Sequence, residues 1–76
     1  MAIFQITIVN QTFEAHNQHD LPTEEDARAE AIRGALEIGL DEVGVASPLF
    51  AAEVKIASDG EQIARYVVSM GVSPLR

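Results

Sequence analysis

Between Leu21 and Gly39, small apolar residues recur at helical spacing, and this constrains the chain more than any other feature. At about 100° per residue, Ala27, Ala31, Ile32, Ala35, Leu36 and Ile38 fall on one broad stripe, with Asp26, Glu30, Arg33 and Glu37 opposite. Leu21-Pro22-Thr23-Glu24-Glu25-Asp26 reads as the start of the helix. Thr23 caps, Asp26 stands three residues on as in a capping box, and the acids suit the positive end of the helix dipole. Gly39 is expected to end the helix, with Leu40 supplying the accompanying apolar contact. So much alanine lets a helix axis lie close to a sheet. Arg28 falls inside the apolar arc and should run its stem over the sheet edge with its head in water.

The segments on either side alternate with the period of strands. Ile3 to Val9 puts Phe4, Ile6 and Ile8 on one face and Ile3, Gln5, Thr7 and Val9 on the other. A two-residue turn at Asn10-Gln11 would pair Ile8 with Phe13 and Ile6 with Ala15, giving a second strand over about residues 12–16. After an irregular stretch from Leu40 to Leu49, Phe50, Ala52, Val54 and Ile56 alternate with Ala51, Glu53, Lys55 and Ala57 up to Ser58-Asp59-Gly60. A two-residue Asp59-Gly60 loop would set Arg65 opposite Val54 on the apolar face. A three-residue loop pairs Glu53 with Arg65, Val54 with Ala64 and Ala52 with Tyr66, keeps charge off that face, and is therefore expected. Ser69 to Arg76 reads as a short tail. The order β-β-α-β-β predicts one α+β domain over residues 1–76, two layers thick, with a four-stranded antiparallel sheet and one helix on one face.

Charge is unevenly placed. The chain carries a net charge of −7, yet its first 13 residues have no charged side chain. Residues 43–76 balance Glu53, Asp59 and Glu61 against Lys55, Arg65 and Arg76, so the whole excess lies between residues 14 and 42. Such a chain repels phosphate backbones, which argues against nucleic-acid binding. No run approaches the roughly 18 to 20 apolar residues that span a bilayer, and no basic residue precedes the first apolar run, so neither membrane nor secretion is expected. The absence of cysteine excludes disulfides and thiol chemistry.

Few residues suggest chemistry. His16 and His19 with Asp20 form the only ligand-type cluster, but two imidazoles and one carboxylate fall short of a closed metal site. A polar strand-to-helix connection is the plainer reading, and no metal or other cofactor is expected. Glu24, Glu25 and Asp26 are explained by the helix dipole, and Asp41-Glu42 at the other helix end is a weak candidate for a hard cation or a partner. There is no Gly-x-Ser-x-Gly, no phosphate loop and no evident partner for either histidine, so no catalytic residues are assigned and an enzyme is not expected.

The run Leu21-Pro22-Thr23-Glu24-Glu25-Asp26-Ala27-Arg28-Ala29-Glu30-Ala31, with Asp41-Glu42, Phe50-Ala51-Ala52-Glu53-Val54-Lys55 and Asp59-Gly60, resembles a family of short uncharacterised bacterial proteins. There an N-terminal hairpin precedes an acidic, alanine-rich helix, and a hairpin turning at Asp-Gly follows. The first hairpin here departs from that pattern, without its aromatic cluster or Asp-Gly turn. The resemblance implies a bacterial, cytoplasmic protein and no activity, since that family is a domain of unknown function. The Thr23 join with its acids and alanine is also similar, more distantly, to small antitoxins of the HicB type.

These readings predict a small non-catalytic, acidic protein-interaction module that forms a homodimer. The acidic helix residues Asp26, Glu30 and Glu37 are its candidate surface for a basic protein partner. Ile3, Val9, Ile63 and Val67 form the candidate dimer face on the side of the sheet away from the helix, with only Arg65 charged among them. The alternative is an antitoxin-like or nucleic-acid-mimicking regulator that binds a basic partner.

Overall fold

A computed structural model describes residues 2–43 and 48–75. The elements are β1 (Ala2–Val9), β2 (Glu14–Leu21), α1 (Glu24–Glu42), β3 (Leu49–Ser58) and β4 (Glu61–Gly71). All neighbouring strands are antiparallel, in the order β2-β1-β3-β4, so the two hairpins meet through β1 and β3 at the centre of the sheet. The expected α+β architecture is the one observed. Part of the irregular stretch expected between Leu40 and Leu49 lies outside the described residues, as does Arg76 at the end of the tail.

The inward positions of the central strands supply the core. Phe4, Ile6 and Ile8 of β1, Phe50, Ala52, Val54 and Ile56 of β3, and Val68 of β4 are buried against Ala27, Ala31 and Ala35 of α1. Thr23 caps the helix as expected: its hydroxyl accepts from the Asp26 amide at 3.1 Å and donates to the Asp26 carboxylate at 3.0 Å. The C-terminal end differs. The helix runs on to Glu42, Val43 caps it through a 2.8 Å bond from its amide to the Gly39 carbonyl, and Gly39 is an interior helical residue. What Gly39 provides is space, since a Cβ there would come 2.9 Å from the Phe50 ring and 2.7 Å from the Met70 methyl. Ala27, Ala31, Ala35 and Gly39 are the four buried helical residues, one every fourth position.

Both hairpins turn differently from expectation. At the first, the Asn10 carboxamide oxygen accepts from the Thr12 amide (2.9 Å), the Thr12 hydroxyl (3.0 Å) and the Phe13 amide (3.2 Å). Asn10 thus acts through its side chain, and the connection holds four residues where two were expected. Ile8 consequently pairs with Ala15 and Ile6 with Asn17. Since the register moved by two, each β2 residue keeps its face. His16 to Asp20 is therefore strand, correcting the expected connection.

The second hairpin adopts neither expected pairing throughout. Ser58 pairs with Glu61 across a two-residue turn with positive φ at Asp59 (54°) and Gly60 (78°). A β-bulge then leaves Ile63 without a partner on β3, and beyond it Ile56 pairs with Ala64, Val54 with Tyr66 and Ala52 with Val68. The extra residue moves Arg65 from the apolar face to a position opposite Lys55. Charge stays out of the core, through a bulge instead of a longer loop. β4 continues to Gly71, two residues past the expected start of the tail.

Thr23→Ala should cost about 1 kcal/mol, read from urea denaturation. Gly39→Val should cost roughly 1–3 kcal/mol through overpacking against Phe50. Gly34→Ala, where a Cβ would meet only the Ile8 methyl at 3.5 Å, should gain about 0.5–1 kcal/mol from helix propensity.

Candidate functional site

Strand alternation decides the fate of the histidine cluster. His16 pairs with Thr7 and His19 with Phe4, so the two imidazoles point to opposite faces of the sheet and cannot share an ion. Among the described residues no three His, Asp or Glu side chains gather as a metal site.

His16 does acquire partners that sequence reading missed. Its Nε2 lies 2.6 Å from the Glu14 carboxylate and its Nδ1 lies 3.1 Å from the Thr7 hydroxyl. Glu14 and His16 share a face because they are two apart on a strand, but Thr7 joins them only through the register of β1 against β2. A hydroxyl, an imidazole and a carboxylate in line have the connectivity of a nucleophilic triad. Here the His16 and Glu14 side chains are 64% and 56% exposed. Thr7 sits on a strand paired on both sides, with His16 and with Lys55, so its neighbouring backbone amides are committed to sheet ladders. They cannot serve as donors to an oxyanion.

The face away from the helix is more charged than expected. Glu53 and Lys55 of β3 stand in its middle, between Val9 on β1 and Val67 and Arg65 on β4. Arg65 donates through Nε to Glu53, and the Lys55 ammonium lies 3.7 Å from the same carboxylate. That hydrogen bond from Arg65 is the main cause holding the Glu53 carboxyl below its ordinary value of 4.5, with partial loss of hydration opposing it.

The candidate dimer residues accordingly do not form one patch. Val9 and Val67 flank Glu53 in a single row, whereas Ile3 pairs with Asp20 at the other end of the sheet. Ile63, expected on this face, is turned by the bulge and packs against the core cluster. Ile3 and Val67 are well exposed.

Asp26, Glu30 and Glu37 do lie along one flank of α1. Asp26 is engaged with Thr23, and Glu30 lies 3.3 Å from Arg33. Glu37 is exposed, with no ion-pair partner among the described residues. Arg28 reaches the sheet edge as expected, but its head is not left to water: it donates to the Tyr66 hydroxyl of β4, with its guanidinium 5.9 Å from that ring centroid and 3.9 Å from Glu24. Comparison with known protein families, curated proteins and solved structures yields no match to this chain.

Glu53 makes a pH prediction possible. A carboxyl whose folded pKa is lowered stabilises the fold fully above its unfolded value, and that contribution is lost as pH falls through the folded value. Glu53→Gln should therefore melt lower than wild type at pH 7, and the gap should close as the pH is taken downward from about 4.5. Melting curves by circular dichroism across that range test it.

Proposed function

We propose that the chain is a small, non-catalytic, acidic interaction module that assembles as a homo-oligomer and meets a basic protein partner through α1. One observation carries the reading, the separation of charge on the helix. At about 100° per residue, Asp26, Glu30, Glu37 and Asp41 gather on one outward face of α1, which they share with Arg33, the partner of Glu30. The opposite flank carries Ile32, Leu36 and Leu40. A face of net negative charge steers a basic partner, and these acids outnumber Arg33 there.

No helix among the described residues is long and apolar enough to cross a membrane. Cytoplasmic residence, in a bacterium, is part of the same proposal, and it accords with a chain that contains no cysteine.

Oligolysine peptides should bind at low ionic strength and be released as salt rises to about 0.5 M, because exposed charge pairs are screened. Glu30→Gln with Glu37→Gln should weaken that binding and flatten its salt dependence without moving the melting temperature by more than a degree or two. Titration calorimetry reads both. Binding equal in wild type and double variant would move the contact off the helix.

A further inference from the structure

We infer that the cleft at the C-terminal end of α1 takes a lysine side chain of the basic partner, its ammonium against Glu42 and its stem along the wall made by β3. The inference rests on the interaction-module reading above and names where the partner's charge is held.

Three elements meet at this cleft. The last turn of α1 contributes Glu42, the turn of the first hairpin contributes Asn10, Gln11 and Thr12, and residues 49–51 at the start of β3 form an apolar wall. The volume is about 360 Å³, at the small end of the roughly 300–1,000 Å³ of ligand clefts. That suits one long side chain and excludes a folded segment.

The electrostatics select a cation. Among the described lining residues only Glu42 is charged, and it makes no ion pair among the described residues. It stands at the negative pole of the helix, next to Asp41 and with no basic residue in the last turn. Two acids at that pole are unfavourable for the helix by themselves, and a bound cation offsets them. The outward acidic face of α1 also leads here, since Asp41 is its last member and Glu42 follows it.

The rest of the lining decides the kind of cation. Among the described residues no three His, Asp or Glu side chains gather, so a metal ion would lack its ligands. A lysine matches both halves of the cleft. Its aliphatic stem suits Phe50 and Ala51, and its three donors suit the Glu42 carboxylate and the side-chain oxygens of Gln11 and Thr12. The Asn10 carboxamide oxygen is already taken by Thr12 and Phe13. The Thr12 hydroxyl donates to that oxygen, which leaves its own lone pairs to accept.

The test is titration calorimetry with the oligolysine peptide at about 20 mM salt on wild type, Glu42→Gln and Glu25→Gln, the last removing an exposed acid at the far end of α1. Glu42→Gln should weaken binding about fivefold and melt no lower than wild type. Glu25→Gln should change the affinity by less than about twofold. In amide NMR spectra the peptide should shift residues 11, 12, 42 and 50, and n-butylamine, the lysine head alone, should shift the same amides more weakly. Equal losses in Glu42→Gln and Glu25→Gln, or shifts confined to other residues, overturn the cleft and leave the basic-partner reading to the Glu30 and Glu37 variants. A Glu42→Gln protein that melts well below wild type gives the residue a structural role and overturns the assignment. n-Butylamine binding as tightly as the peptide overturns the partner as the source and assigns the cleft to free amines. A peptide that does not bind wild type overturns both readings.

Discussion

The structure depends on how closely α1 can lie on the sheet. Every fourth residue on its inner side is alanine or glycine, and the side chains that fill the layer between helix and strands come from the strands: Phe4, Ile6, Ile8, Phe50, Val54 and Ile56. On a helix of about 3.6 residues per turn, a four-residue spacing drifts around the axis, as contact with a twisted sheet requires. The division of labour is strict at Gly39, where even a methyl group would press on Phe50 and Met70. A bulkier stripe would lift the helix and open the core of a domain that has no disulfide to compensate.

Close seating also determines what the rest of the helix presents. With the small residues turned inward, Asp26, Glu30 and Glu37 are left on one side of the helix with Arg33, and Ile32, Leu36 and Leu40 on another. One side of a strongly acidic molecule is thereby gathered for charge, while the side above β4 stays nearly neutral. Tyr66 and Arg28 join the two layers at that second side, where the guanidinium lies against the ring and the hydroxyl. The far face of the sheet has a different character: Glu53, Arg65 and Lys55 cross its middle, and Thr7, His16 and Glu14 line its other half.

The triad-like line of Thr7, His16 and Glu14 illustrates how connectivity differs from a working site. The three groups touch, but His16 and Glu14 are more than half exposed to water, and no backbone donors are free to aim at a reacting oxygen. Catalytic sites of this kind depend on exclusion of water and preorganised dipoles. Cross-strand hydrogen bonding is what the geometry supports here.

Local patterns alone determined much of this protein. The period of the apolar residues gave the element types and their order, Thr23 with Asp26 marked the helix start, and a single helix over four strands implied two layers. These are consequences of residues near one another in sequence, where side-chain direction follows from backbone geometry. Pairing was decided only in three dimensions. The Asn10 side chain added two residues to the first turn, and the bulge at Ile63 resolved the conflict between the Asp59-Gly60 turn and the need to keep Arg65 outside. The bulge is not visible locally, because it depends on what the opposite strand buries, whereas the Asn10 turn is local and was masked by the more usual two-residue loop. Strand order did the same to the expected dimer face: β3 between β1 and β4 inserts Glu53 and Lys55 among residues that looked apolar when the outer strands were read without it. Sequence determines which way each residue faces along its own strand, but only tertiary structure decides its neighbours across the sheet, since those are set by long-range burial.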